Sequence, residues 1–395
     1  MQLKIQAAEY EARQARLMGS LKKEGFLGFL TFSPLTVLYL TGFHFLSTER
    51  PAALVIPVDG PRFLFVPQLE IDHAKRAEAV DEIVTYPEYP DAIHPMEHLG
   101  DAMKERGLGS GAIVSESPGY GSAMGYRGPR IDEVLEDIVL SIDSERVETM
   151  RMVKSSGELA LMHESARWGN LAHTLLQEHC APGQTENQVS LRATEEATVA
   201  MMKTLGARYY PLGQVGASAI FRGQIGPNSA LPHAVNINAV MHEGDTLVTG
   251  AGAGVGGYGS ELERTMFLGE PSSEQVTYFH HMVALQDVAL SALRPGIACS
   301  EVDRAVRAEY ESRGLTSYWL HHVGHAMGLL GHEAPFLDIG DSTIIEPGMV
   351  FCVEPGLYVS GLGGFRHSDT VVITDAGFEF ITYYPRQLED LIIPV

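Results

Sequence analysis

Residues 250–265 read GAGAGVGGYGSELERT. Small residues, a Gly-Gly pair and a polar run after it predict a β-hairpin. Glu261 and Glu263 alternate with Leu262, so both carboxylates should point to one face of the second strand. Hairpins of this kind can carry metal-binding aspartates, and this one has none. The stretch therefore indicates either an altered metal site or a binding site of another kind, with a solvated charged face as the simplest alternative.

The second half of the chain contains a faint internal repeat. PGQTENQVSLRA begins at Pro182, and PGIACSEVDRAVRA begins at Pro295. In both stretches, a preceding helix ends at the Pro-Gly pair, a hydroxyl residue follows, and a new helix begins. A pair of strands comes after each stretch. Thr185 has the capping-box spacing, with Gln188 three residues later, and Ser300 is the expected equivalent cap. Two related halves predict a pseudo-twofold domain with a cleft between them.

The first part of the chain has a different character. A helix is predicted over about residues 8–24, and alternating strands and helices follow it, as in an α/β unit. A long helix entered through Ser155-Ser156-Gly157 then begins the second half. We place the domains at residues 1–150 and 151–395.

Composition excludes several classes of partner. The chain has 395 residues and a formal net charge of −22, which argues against nucleic acid and anionic membrane surfaces. Its three cysteines form no CxxC pair, so a reducing, cytoplasmic location is expected. The sequence has no run of 18 apolar residues that would predict a membrane span.

Polar residues with catalytic chemistry cluster in the second half. His233 lies in LPHAV, and four histidines, including His325 and His332, lie among glycines in HHVGHAMGLLGHEAP. Imidazoles act as acid, base or hydrogen-bond donor near neutral pH. Glu354 interrupts the apolar strand MVFCVEPG, where a carboxylate needs a partner or a proton. Surface or structural roles are the alternative for each of these side chains.

Six motifs carry a family resemblance: RMVKSSGELALM, LPHAV, GYGSELERTMFLG, GHAMGLLGHEAP, EPGMVFCVEPGLY and GGFRHSDTVVIT. In this order they resemble the creatinase, prolidase, aminopeptidase P and methionine aminopeptidase family. The resemblance implies an α+β fold, in which a creatinase N-terminal-like α/β domain is followed by a pseudo-twofold pita-bread catalytic domain.

The resemblance also implies where a metal site would lie. Metallopeptidases of this family typically use two aspartates, a histidine and two glutamates, and these five positions fall on Gly250, Glu261, His325, Glu354 and Ser368. Two ligands are absent and a third is longer by one methylene, so a dinuclear site should be lost because too little negative charge remains. We expect no metal cofactor, with a single divalent ion on Glu261, His325 and Glu354 left open.

The missing and altered metal ligands make this chain similar to creatinase, the branch of the family that works without metal. The first hypothesis is a metal-independent hydrolase of a C–N bond in a small amidine, guanidino or amide compound. His233 would transfer protons, and Glu263 and Glu354 would bind a cationic group. His325, the fourth catalytic candidate, would line the cleft with His332 as a hydrogen-bond donor. The remaining substrate-binding candidates are Arg50, Glu261, His332, Tyr258 and Arg366.

Two other functions stay open. One is an Xaa-Pro metallopeptidase with an atypical metal site, and the other is a catalytically silent protein that binds a small ligand. The resemblance to creatinase also implies a homodimer in which Arg50 reaches the partner's active site and holds a substrate carboxylate.

Overall fold

The computed structural model describes residues 3–121, 124–213 and 216–395. The chain divides into two compact units, one of residues 5–150 and one of residues 1–4 with 151–395. Among the described residues, no helix combines the length and the apolar character that crossing a bilayer requires.

The first unit is built around one mixed sheet. Its helices are α1 (Ala7–Glu24), α2 (Pro34–Thr41), α3 (Ile71–Ala74), α4 (Pro95–Glu105) and α5 (Ile131–Val134). Its strands are β1 (Gly28–Thr31), β2 (Ala53–Pro57), β3 (Phe63–Pro67), β4 (Glu82–Tyr86), β5 (Gly111–Ser115) and β6 (Ile138–Ile142), in the order β4-β3-β2-β1-β5-β6. The predicted first helix is confirmed, and it ends at Gly25, which takes a φ of 83°. Helix α6 (Arg146–Met152) then leads into the second unit.

The second unit contains four long helices and most of the strands. The helices are α7 (Ser156–His179), α8 (Glu186–Leu205), α9 (Ser273–Ala292) and α10 (Cys299–Ser312). The strands are β7 (Ala217–Ile220), β8 (Thr246–Val248), β9 (Gly250–Ala253), β10 (Leu262–Glu263), β11 (Thr265–Leu268), β12 (Gly324–Ala326), β13 (Glu333–Leu337), β14 (Val350–Val353), β15 (Gly356–Val359), β16 (Gly363–Arg366), β17 (Ser368–Thr374), β18 (Gly377–Phe380) and β19 (Ile392–Ile393).

One large sheet carries the strands that matter for function. Its order is β13-β12-β14-β17-β10-β9-β7, with β18 also paired to β17. The first hairpin is formed by β9 and β10, and the second strand pair is formed by β14 and β17. The two meet where β10 pairs with β17 in the same antiparallel sheet. The two halves of the internal repeat are joined at the β10–β17 pairing.

The N-terminal caps of α8 and α10, the equivalent helices of the internal repeat, differ from each other. Thr185 accepts from the backbone of Gln188, so the predicted capping box is confirmed. The cap predicted at Ser300 is wrong, because Ala298 is the N-cap residue and Ser300 lies inside the first turn of α10. The backbone N–H groups of Cys299 and Ser300 instead donate to the carbonyl oxygens of Thr343 and Asp341. A neighbouring chain segment therefore accepts the hydrogen bonds of the free N–H groups at the start of α10, where a hydroxyl cap was expected.

Arg264 fixes the pairing of the two hairpins. Its side chain is fully buried and lies directly after β10. Nη1 donates to the carbonyls of Glu263 (2.7 Å) and Ser368 (3.1 Å), while Nη2 donates to Asp369 Oδ1 (2.8 Å) and the Tyr384 carbonyl (3.0 Å). Nε donates to the Pro385 carbonyl at 2.9 Å. The planar guanidinium thus uses every donor nitrogen to hold three chain segments together.

Replacing Arg264 with Met should destabilise the protein strongly, since Asp369 would remain as a buried charge without its guanidinium partner. We expect the free energy of unfolding to fall by about 3–5 kcal/mol in chemical denaturation. The control is Arg192→Met, which removes an exposed ion pair with Glu196 on α8 and should cost less than about 1 kcal/mol. Equal losses in the two variants would contradict this role of Arg264.

Candidate active site

Four neighbouring strands present the predicted polar residues on one face of the large sheet. His325 on β12 pairs with Cys352 on β14, and Cys352 pairs with Thr370 on β17. Thr370 Oγ1 accepts from the backbone N–H of Glu261 and donates to its carbonyl, which extends this row to the start of β10. Because side chains alternate along strands, residues two positions away share the same face.

A second row follows two residues further along. Glu263 on β10 pairs with Ser368 on β17, and Glu354 directly follows β14. Three glutamates and one histidine from the sequence analysis are thus brought together on the sheet face: Glu261, Glu263, Glu354 and His325.

His325 has a ring nitrogen without a hydrogen-bond partner among the described residues. The side chain is fully buried, and Nδ1 lies 3.1 Å from the Ala326 carbonyl. Since a carbonyl only accepts, Nδ1 carries a hydrogen, and Nε2 is the nitrogen that gains or loses the ring's second proton. Nε2 lies 3.3 Å from Glu354 Oε1 and 3.9 Å from Glu261 Oε1, with geometry too poor for a hydrogen bond. Burial lowers the pKa of His325, but contact with these carboxylates outweighs burial and raises it to about 9.

Glu261 is short of positive charge. Its only side-chain hydrogen bond to a described residue comes from Ser368 Oγ, which donates to Oε1 at 2.8 Å. Burial, together with the negative charges of Glu354 and Glu263, raises the pKa of Glu261 to about 7. A carboxylate in this position gains from any cation that reaches it.

Arg366 lies between the other two glutamates. It is buried, and it makes two contacts with Glu263, one from Nε and one from Nη2 at 2.9 Å. Nε also lies 3.5 Å from Glu354 Oε2. Burial opposes ionisation of Glu354, yet contact with His325 and the charge of Arg366 hold its pKa well below its usual range. Arg366 therefore serves as a counter-charge within the site and does not present a free group to a substrate.

Arg222 is a second counter-charge, which the sequence analysis did not identify. It follows β7 with a φ of 53°, and its Nη2 lies 2.7 Å from Glu263 Oε1. Both oxygens of Glu263 are therefore held by arginines. The carboxylate of Glu263 thus already has cationic partners within the chain, and its role in binding a cationic substrate group stays a prediction. No sequence pattern pointed to Arg222, which becomes part of the site only through the fold.

The carboxylates of this cluster outnumber its arginines. Glu261, Glu263 and Glu354 face Arg222 and Arg366, and protonated His325 supplies a third positive charge, whose place a bound cation can take. Two sets of ligand atoms lie within 4.8 Å of one another: Glu261, His325 and Cys352 form one, and Glu261, Glu263 and Glu354 form the other. Cys352 was also missed, although it lies two residues before Glu354 and therefore on the same strand face.

Two histidines lie toward the solvent side of this cluster. His332 is exposed, and its ring stacks on that of His325 with 3.6 Å between centroids. Burial of its ring, with the charge of His325, lowers the pKa of His332, and the charge of His233 acts in the same direction. His233 is also exposed, in the turn region before β8. Both histidines are accessible to a substrate.

Two other predicted substrate-binding residues do not lie on this sheet face. Tyr258 is buried, and its hydroxyl donates to Glu158 Oε1 at 2.7 Å, so its side chain supports the start of α7. Its contact with substrate stays a prediction. Arg50 belongs to the first unit and pairs there with Glu49 and with Glu88, whose Oε1 lies 2.7 Å from Nε. Its role in a partner's site stays a prediction.

Comparison with known proteins gives the family. The description "Metallopeptidase family M24" matches residues 160–375, and "Creatinase/Prolidase N-terminal domain" matches residues 13–153. The probable dipeptidase PepE of Mycobacterium tuberculosis is 29% identical over 390 residues, which is 98% of each chain. The Xaa-Pro dipeptidase of Pyrococcus furiosus is 28% identical over 347 residues, covering 88% of this chain and 92% of its own. The crystal structure of dipeptidase PepE from Mycobacterium ulcerans has a TM-score of 0.82 at 26% identity, covering 99% of this chain and 100% of that one.

These similarities overturn the first hypothesis. A metal-independent hydrolase of the creatinase type is wrong, because the relatives are dipeptidases and Xaa-Pro dipeptidases of a metallopeptidase family. The expectation of no metal cofactor is wrong for the same reason, and the sheet face contains candidate metal-ligand groups. The relatives favour the alternative, an Xaa-Pro metallopeptidase with an atypical site.

The residues present fit one divalent cation and not two. His325 Nε2 has no partner among the described residues, and two carboxylate oxygens lie within 4 Å of it. Gly250 and Ser368 bring no carboxylate to the remaining family positions, and Glu263 is held by its two arginines.

The sequence match, the fold and the sheet face agree on the class of protein. The chain belongs to metallopeptidase family M24 and is a hydrolase of carbon–nitrogen bonds.

Proposed function

We propose that this protein is a dipeptidase that cleaves short peptides, Xaa-Pro dipeptides among them, with a single divalent cation held by Glu261, His325 and Glu354. The observation that carries the proposal is the buried Nε2 of His325, which has no hydrogen-bond partner among the described residues and lies beside two carboxylates. The excess of carboxylates over arginines supports a cation in the same place, where it would displace the proton of His325. Three protein ligands with an open position are typical of catalytic metal sites.

The chain's own residues have distinct tasks in such a reaction. A bound divalent cation would polarise the scissile carbonyl and lower the pKa of a bound water. Arg366 keeps Glu354 ionised and in place through its contact with Oε2. Accessible imidazole nitrogens of His332 and His233 are available to hydrogen-bond the substrate and to give a proton to the leaving nitrogen. The stacking of His332 on His325 keeps this donor next to the cation ligands.

Arg222 supports a substrate with a free carboxylate. Its side chain is 39% exposed, and Nε and Nη1 make no hydrogen bond to the described residues, while Nη2 is held by Glu263. The guanidinium is thus fixed at one nitrogen and open at the others. Guanidinium groups bind carboxylates in a two-pronged geometry, and a dipeptide carries a carboxylate one residue from its scissile bond.

A homodimer and a cytoplasmic location remain part of this proposal. Arg50 would reach the partner's site, and its side chain is 28% exposed, so its guanidinium is accessible to a ligand that displaces Glu88. Three free, buried cysteines support a reducing compartment.

Metal content tests the single-cation site directly. Purified protein should bind one divalent cation per chain, and its hydrolysis of Xaa-Pro dipeptides should stop on chelation. His325→Ala should lose the cation and the activity while the circular dichroism spectrum is kept. His322→Ala is the matched control, because His322 is a half-buried histidine of the same segment that is 3.8 Å from Asp338.

Two cations per chain would contradict the single-cation site. Activity that survives complete removal of metal would contradict a metallopeptidase altogether.

The role of Arg222 is tested by comparing substrates with and without a free carboxylate. Arg222→Met should raise KM for a dipeptide by about ten- to a hundredfold, as a lost charge-assisted hydrogen bond of about 1.5–3 kcal/mol would do. A dipeptide amide, which has no carboxylate, should be affected much less, and Arg222→Lys should recover part of the loss. An equal effect on the acid and the amide would rule out this contact.

A further inference from the structure

Cys352 is a buried thiol beside the proposed cation ligands, and the function proposed above does not use it. It is fully buried on β14, between its register partners His325 and Thr370. Its Sγ belongs to the set of ligand atoms from Glu261, His325 and Cys352 that all lie within 4.8 Å of one another. Ligand atoms around zinc are ~3.5 Å apart, so a small closure of these side chains forms a coordination shell.

The other groups around Cys352 leave it available for this role. Its Sγ lies 3.2 Å from Met327 Sδ and 3.6 Å from Thr370 Oγ1, both weak partners for a thiol. Cys180, by contrast, donates to the Leu176 carbonyl inside α7. The Nε2 of His325, which makes no hydrogen bond to the described residues, belongs to the same group of ligand atoms.

We propose that Cys352 is a further ligand of the cation and makes the site selective for thiophilic ions such as Zn²⁺ and Co²⁺ over Mn²⁺. This inference rests on the single-cation site proposed above. On binding, the sulfur–metal bond forms as the thiol loses its proton to solvent, with no change of oxidation state. Thiolate ligands select softer ions, whereas carboxylates alone suit Mg²⁺ and Mn²⁺. A zinc ion with four protein ligands can still bind a water or substrate oxygen as a fifth ligand.

In the metal-free chain, burial and the charges of Glu261 and Glu354 raise the pKa of Cys352 well above its usual value, so its sulfur is a neutral thiol. A thiol that coordinates a divalent cation loses its proton to solvent on binding. Cys352 would then supply a ligand atom in a cluster where Gly250 and Ser368 supply no carboxylate.

Cobalt spectroscopy on the full-length protein tests this coordination without relying on activity. The wild type with one Co²⁺ bound should show a sulfur-to-cobalt charge-transfer band, which Cys352→Ser should lose. Cys180→Ser, the control at another buried cysteine, should keep the band. In competition titrations, the preference for Zn²⁺ over Mn²⁺ should fall at least tenfold in Cys352→Ser alone.

X-ray absorption at the zinc edge of the wild type needs no variant and should show one sulfur in the first shell, so the test holds even if Cys352→Ser fails to fold. One bound ion with neither a sulfur scatterer nor a charge-transfer band would overturn the role of Cys352 and leave the single-cation site intact. Failure of the wild type to bind any divalent ion would overturn the proposed function and this inference with it.

Discussion

The buried guanidinium of Arg264 is the constraint on which the functional sheet depends. Strand β10 has only two residues, too few for its own ladder to hold it in register. Arg264 adds hydrogen bonds to the backbone of Glu263 and Ser368 and a salt bridge to Asp369, so the first hairpin is held against the second. Because a shift of one residue would turn every side chain to the opposite face, this clamp decides which carboxylates meet.

The registered sheet then concentrates negative charge on one face. Glu263 receives two arginines, Glu354 shares one of them, and Glu261 receives only the hydroxyl of Ser368. Glu261 therefore has the fewest positive partners of the three glutamates, and a cation would be stabilised most beside it. On the function proposed above, the two missing family carboxylates would leave a smaller metal site, with Arg222 and Arg366 as internal counter-charges.

Sequence patterns predicted a substantial part of this structure. The two hairpins, the capping box at Thr185 and the convergence of Glu261, His325 and Glu354 could be read from motifs, because these depend on local spacing and on a strong family resemblance. The contacts that decide function depend on the fold. Glu263 looked available because its partners Arg222 and Arg366 are 41 and 103 residues away. Tyr258 looked like a site residue because its partner, Glu158, is 100 residues distant.

The first hypothesis was wrong because it depended on a charge count at the family's metal-ligand positions alone, whereas the relatives are peptidases of a metallopeptidase family. That count also left out Cys352, whose sulfur lies among the candidate ligand atoms. The most direct test is a crystal soaked with Zn²⁺ and measured at the zinc absorption edge. A single anomalous peak per chain among Glu261, His325 and Glu354 is expected, and two peaks, or none at this site, would contradict a single-cation centre.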